Sequence, residues 1–442
     1  MPQDRSTPPK PSKLKKTLGH LRPSDLRGIV NLATQATQGV ATMAEGVHQS
    51  VWGTLGAPGG KEAGRARGLT GFVYRTVHGV TEMVGKSLEA AFTRMEPLLG
   101  SLVDAPPETP LREAVLAALN GVMGDRLAAT HNPLATPMTL RHAGQIIDWH
   151  ASDRIPCATG KALILIHGLC MNDLQWRTQL KNPDGTEGPV VDHGEALSAA
   201  LHVTPIHVRY NTGLHTSQNG RLLADQLETL TLHWPVALQE ITGVVHSMGG
   251  LILRSALHDA QQRGLRWPAL LKNIVFLGTP HHGSPLERAG NWVDVVLGST
   301  PYSKPLAKLG QLRSAGITDL RFGHVLEADW HGHDRFHRKP DSRTPLPLPE
   351  GVACYTVAAT AAGKSSPLSE RIVGDGLVPL PSALGRHADP SLCLDFPKAH
   401  QHIAYRTHHM ALLSSPAVTA QIVQWLKPAG TGTVPQSRRS KK

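Results

Sequence analysis

Three side chains in this sequence could together carry an acyl transfer, although they lie far apart along the chain. The first is Ser247, inside the run EITGVVHSMGGLILR at residues 240–254. Ile241 to Val245 is short, apolar and β-branched, which suits a buried parallel strand. From Leu251 onward apolar residues return at helical spacing. Between the two, His246-Ser247-Met248-Gly249-Gly250 is too short and too glycine-rich for anything but a tight turn. Such a turn sets the serine hydroxyl at a helix N-terminus, where the dipole and the free N–H groups favour developing negative charge. A serine hydroxyl becomes a useful nucleophile only when a base removes its proton, normally a histidine oriented by a carboxylate. Asp375 lies between two glycines in VGDGLVP, and His408 and His409 stand just before the final helix. An Asp-Gly turn is common for reasons unrelated to chemistry, and one histidine among 25 carries little information. What points to catalysis is the joint placement, each residue coming after a strand-like run. Spacing alone leaves His408 as a competitor for His409.

The surrounding pattern shows what would position them. Residues 138–149 read as two short strands around His142-Ala143-Gly144, a hairpin. Residues 162–166 form a fully apolar strand followed by His167-Gly168-Leu169. Further strands are expected at 203–210, 273–277, 352–358 and 392–396, with helices at 219–232 and from Pro416 to about Leu426. Repeated βα units imply a mostly parallel sheet with helices on both faces. Ligands of such sheets bind at the carboxyl ends of the strands, where Ser247, His167-Gly168 and Gly278 all fall. Residues 283–349 interrupt the alternation and are rich in Gly, Pro, His and Arg, as expected of a cap insertion over that edge. Within it Trp292, Val293, Val295, Val296 and Leu297 form an apolar cluster suited to covering an acyl pocket. Upstream, residues 24–135 read as an N-terminal helical module of three helices, the last starting at Thr109-Pro110. The module holds no catalytic constellation. Its polar faces are poor in Lys and Arg, which favours a small bundle over an interfacial helix pair. Residues 1–23 and 428–442 are basic and expected to be disordered tails.

The combination LILIHGL, VHSMGG, LGTPHHGSPLERAGNW, GDGLVP and HHMALLS resembles the α/β-hydrolase superfamily. It is most similar to bacterial lipase- and esterase-like hydrolases and to the GPI inositol-deacylase-like group, over roughly residues 138–427. Val245 departs from the usual G-x-S-x-G pattern, standing where the first glycine would be. The resemblance implies an α/β-hydrolase fold and ester hydrolysis without metal or organic cofactor. It implies Ser247 as nucleophile, with Asp375 orienting the histidine, and its H-x-x-L-L pattern favours His409. The oxyanion donors would be the N–H groups of Met248 and Leu169. His167, Gly168, His246, His281, His282 and Trp292 would line the substrate pocket. His281-His282 and the run HGHDRFH at 331–337 also invite a metal reading. Adjacent histidines on a turn rarely face one ion and no paired carboxylates accompany them, so no metal site is expected.

Composition bounds the alternatives. The 442 residues, 40% hydrophobic and 18% charged, describe a globular chain with ample core. The net charge of +11 is concentrated in the tails. It is compatible with weak peripheral attraction to an anionic membrane, while no recognition motif for nucleic acid accompanies it. Cys157, Cys170, Cys354 and Cys393 form no CxxC pair. With no apolar run after the basic N-terminus to act as a secretory signal, reduced thiols and a cytoplasmic location are expected. The expected substrate is a small-molecule or lipid ester; nothing in the sequence sets the oligomeric state. An acyltransferase using the same triad, and a binding protein that kept the fold without turnover, are the competing readings.

Overall fold

A computed structural model describes residues 24–25, 27–32, 108–151, 154–181, 186–284, 313–332, 341–363 and 374–427. The helix expected at 69–92, the cluster Trp292–Leu297, the run 333–340 and both tails lie outside these residues. The chain divides into two compact units. One comprises residues up to Leu116 together with Arg126–Ala135, and the other comprises Ala117–Asp125 and everything from Thr136 onward. In the first unit Arg112 donates from Nε and Nη2 to both carboxylate oxygens of Asp25, each at 2.7 Å. Helix α1, Pro110–Ala129, starts as its sequence dictates. Thr109 accepts from the Arg112 N–H at 3.3 Å and proline occupies the first turn, where a missing N–H costs nothing. The units part between residues 135 and 136 and also inside α1, whose stretch Ala117–Asp125 goes with the second unit. Ala118 and Val122 belong to the main hydrophobic core of the second unit, and Asn211 Nδ2 donates to the Gly124 carbonyl at 2.9 Å.

The second unit is built on one mixed sheet of eight described strands: β1 Thr139–His142, β2 Gln145–Ile146, β3 Lys161–Ile166, β6 Thr204–Arg209, β7 Glu240–His246, β8 Leu271–Leu277, β9 Ala353–Thr360 and β10 Gln401–Tyr405. Their order is β10-β9-β8-β7-β3-β6-β1-β2. From β6 through β10 every neighbouring pair is parallel, while β1 pairs antiparallel with β6 and with β2. The remaining strands, β4 Arg177–Lys181 and β5 Glu187–Asp192, form a separate antiparallel ribbon. Alternate residues of each central strand feed two cores. Ile164, Val245, Ile274 and Phe276 pack on one face with α3 (Thr216–His233) and α4 (Met248–Arg263). Leu163, Leu165, Val244 and Val275 pack on the other with α2 (His193–Leu201) and the C-terminal helix Pro416–Leu426. This is the α/β-hydrolase fold.

One expected strand is displaced. Residues 392–396 alternate like a strand, yet they form no ladder; the edge strand is Gln401–Tyr405, paired with β9. Leu394 and Phe396 are buried, but the Leu394 N–H goes to the Gly385 carbonyl at 2.8 Å, which ties the segment to a loop. The true strand reads as polar because an edge strand is only half-buried along its length. Of the expected cap, residues 313–332 and 341–349 are described and include α5, Ala315–Phe322. The Gly316 N–H at its start donates to the Gly213 carbonyl at 3.0 Å, and an added Cβ there would stand 3.1 Å from Met248 Cε. This returning arm of the insertion therefore packs beside the first residue after the serine.

The N-terminal turn of α4 lies directly against the end of β3. A Cβ on Gly249 would lie 2.6 Å from the Ile166 carbonyl oxygen and 2.8 Å from that of His167. Gly249→Ala should therefore destabilise the protein by about 1–3 kcal/mol in denaturant titration. Gly144→Asn, at a left-handed position with open space around it, should cost far less because asparagine tolerates that backbone.

Candidate active site

Ser247 sits between β7 and α4 with φ 53° and ψ −122°, a conformation that costs on the order of 1–3 kcal/mol for a residue with a side chain. Its surroundings hold it there. The Ser247 N–H donates to the Leu277 carbonyl at 2.9 Å, and the Ser247 carbonyl accepts from the Gly250 N–H at 3.1 Å. The absent first glycine of the motif does no harm: Val245 points into the core on the α3–α4 face and is fully buried. Gly168 completes the turn's surroundings, since a Cβ there would stand 3.0 Å from both Ser247 Cβ and His246 Nδ1.

Asp375 and His409 are brought together from loops 34 residues apart. His409 Nδ1 donates to Asp375 Oδ2 at 2.6 Å. The other carboxylate oxygen accepts from the N–H groups of Leu377 at 2.9 Å and Val378 at 2.7 Å. The turn is closed by backbone as well: His409 N–H meets the Asp375 carbonyl at 3.1 Å. The glycines on either side have work to do. Gly376 adopts φ +93°, and a Cβ on Gly374 would fall 2.0 Å from the Val378 carbonyl oxygen. Because a carboxylate can only accept, Nδ1 carries the proton and His409 presents a bare Nε2. That atom and Ser247 Oγ are both buried, and neither has a hydrogen-bond partner among the described residues. His409 packs against the end of β8, where a Cβ on Gly278 would stand 3.1 Å from its Cε1, the same strand end whose Leu277 carbonyl holds Ser247. His408 is exposed and precedes the short 3₁₀ turn His409–Ser414.

The two proposed oxyanion donors flank this point. Met248 opens α4, so its N–H is among those no helical turn can satisfy. The Leu169 N–H meets no acceptor among the described residues. The pocket candidates are more deeply placed than their sequence suggested. His167 and His246 are fully buried. His246 lies against His409, ring to ring at 4.7 Å, with its Nε2 3.4 Å from the His409 carbonyl oxygen. His281 is wedged at 4.8 Å from the Phe276 ring and 5.5 Å from that of Phe396. His282 is half-buried, and Trp292 lies outside the described residues.

Burial governs the charge of these imidazoles. It depresses His167 to about 4, partly offset by a hydrogen bond to the Gly168 carbonyl. It holds His246 well below the usual range, the neighbouring His409 adding to the effect, and does the same to His281 with Arg254 contributing. His282 is lowered to about 4, again mainly by burial. Beside the loop carrying Leu169, Asp173 is buried against Arg209, which hydrogen-bonds it, and Arg141 at 3.2 Å. Burial alone would raise the Asp173 carboxyl; the two guanidinium groups overcome it and hold the group below its ordinary value. Among the described residues no group of three or more His, Cys, Asp or Glu side chains is placed to hold a metal ion. None of their helices is long and apolar enough to cross a membrane.

Residues 157–344 match the family described as PGAP1-like alpha/beta domain. A search of curated protein sequences finds no match. Among solved structures, the mature form of a Bacillus licheniformis lipase is 18% identical with a TM-score of 0.36, covering 62% of this chain and 93% of that one. Aspergillus fumigatus lipase B is 11% identical with a TM-score of 0.35, covering 64% and 55%. A lipase-esterase related protein from Clostridium acetobutylicum is 10% identical with a TM-score of 0.35, covering 66% and 100%.

Two outcomes follow from this geometry. His409→Ala should remove nearly all hydrolytic activity while the exposed His408→Ala leaves it within about twofold, and Asp375→Asn should slow turnover strongly by favouring the wrong tautomer of the base. Steady-state rates on a soluble ester check this. The buried histidines also fix the sign of acid destabilisation. An unfolded chain takes up protons near pH 6.5, whereas folded His167 and His282 resist protonation until about pH 4. Stability should therefore fall as pH drops from about 6.5 toward 4, with net proton uptake on unfolding; denaturant titrations at stepped pH measure it.

Proposed function

We propose that this chain is a serine hydrolase that cleaves carboxylic esters, of small molecules or lipids, through an acyl-enzyme intermediate. The observation that carries the reading is the 2.6 Å pairing of His409 Nδ1 with Asp375 Oδ2, on the same strand ends that hold Ser247 at a positive φ. In the first half-reaction His409 Nε2 takes the Ser247 proton as Oγ attacks the ester carbonyl. The negative charge that develops on the carbonyl oxygen is met by the N–H groups of Leu169 and Met248. Collapse of the tetrahedral species expels the alcohol, which leaves with the proton from His409. Water then repeats the sequence, deprotonated by the same imidazole, and frees the acid and Ser247. Asp375 stays ionised throughout, holding the ring and offsetting the charge it gains. The fully buried neutral histidines around the base suit this cycle, because a second charged imidazole beside His409 would oppose its protonation. The match to the PGAP1-like alpha/beta domain supports the same reading.

The test is a fluorophosphonate probe and a p-nitrophenyl ester series. The wild-type protein should be labelled and should release free acid, and Ser247→Ala should abolish labelling and lower turnover by about a thousandfold or more while folding normally. A folded Ser247→Ala protein with full activity would sink the assignment, and transfer of the acyl group to an added alcohol in place of acid release would convert it to an acyltransferase.

A further inference from the structure

The loop His167–Cys170 is held on three successive peptide planes. Tyr210 OH donates to the His167 carbonyl at 2.7 Å. His167 Nδ1 donates to the Gly168 carbonyl at 2.9 Å. Thr212 Oγ1 accepts from the Cys170 N–H at 3.1 Å. The Tyr210 ring also stacks on the His167 ring, centroids 4.3 Å apart and planes 15° from parallel. Tyr210, Thr212 and His167 are all buried, so each of these bonds is shielded from competing water. The peptide that carries the Leu169 N–H is the middle one. In a trans peptide the carbonyl and the N–H point to opposite sides, and no described peptide bond is cis. Anchoring the Gly168 carbonyl on the His167 ring therefore turns the Leu169 N–H away from that ring, and pinning the planes before and after it removes the crankshaft motion that would let it swing back. Tyr210 and Thr212 come from one stretch just beyond β6, a few residues from Arg209, whose guanidinium holds Asp173 farther along the same loop.

We propose that His167, Tyr210 and Thr212 are positioning residues that keep the Leu169 N–H aimed at the oxyanion before substrate arrives. This rests on the serine-hydrolase reading above. The three side chains touch the donor loop, not the reacting atoms, so their effect is confined to the transition state, where charge on the oxygen develops. It also gives His167 a role other than lining a pocket.

The experiment compares Tyr210→Phe, Thr212→Val and His167→Phe, each of which keeps the bulk and removes one polar contact, with Thr212→Ser as the conservative variant. Each of the first three should lower kcat about tenfold, short of the hundredfold or more that loss of an oxyanion donor itself costs. KM should stay within about twofold. Binding of a trifluoromethyl ketone, which forms an oxyanion on the serine, should weaken by the same factor as kcat/KM. The acid limb of the pH–rate profile should not move, since the base is untouched, and Thr212→Ser should recover most of the rate. Wild-type kcat in Tyr210→Phe and Thr212→Val would overturn the proposal, as would a rise in KM without a fall in kcat, or a Thr212→Ser variant no better than Thr212→Val. If the tyrosine or histidine variant does not fold, the two threonine variants decide the matter alone. Ser247→Ala run in parallel separates the two levels: its full activity sinks the serine mechanism, whereas a dead Ser247→Ala beside fully active clamp variants sinks only the clamp.

Discussion

The backbone of Ser247 is the constraint around which the sheet edge is arranged. A serine at φ 53° is unfavourable by itself, so neighbouring elements must hold it. The Leu277 carbonyl at the end of β8 takes its N–H, Gly249 lets α4 lie directly on the end of β3, and Gly168 brings the next loop against its Cβ. Each contact requires a strand to end where it does. The parallel register across β3, β7 and β8 is therefore the source of the site's geometry as well as of the fold.

The same edge manages electrostatics by exclusion. His167, His246 and His281 are packed out of water, and burial holds all three imidazoles below their ordinary range. On the far side of the loop carrying Leu169 the logic reverses. Asp173 is buried too, but two arginines answer it, and the loop is tethered at both ends, by neutral hydrogen bonds near the serine and by ions farther along.

Much of this was legible in residue types. The central strands are apolar runs that could be little else, and Asp375 and His409 stood out through glycine and H-x-x-L-L patterns. The competition between His408 and His409 needed coordinates, because burial, not spacing, separates them. Residues 392–396 imitated a strand through an alternation that serves loop packing, and the ladder formed instead at a polar edge segment that periodicity cannot single out. The supports of the Leu169 loop were missed for another reason. Tyr210 and Thr212 act on backbone carbonyl and N–H groups, which every residue has, so no partner pattern exists in sequence. The one available hint was polar residues crowded after Arg209 at a strand's carboxyl end, where ligands of such sheets bind.

His409 is mounted on the margin of the sheet. His409 follows β10 by a few residues, and β10 pairs only with β9, its other edge unpaired among the described strands. Opening of an edge strand costs less free energy than global unfolding, because it breaks one ladder and uncovers little core. A transient detachment of β10 would carry His409 away from Asp375 and Ser247 while β3, β7 and β8 stay assembled. Heat or denaturant would then part His409 from Asp375 before the protein melts, leaving an intact central sheet that still holds Ser247. Recovery on cooling would need one strand to re-dock, a local event far quicker than threading the long-range parallel sheet anew.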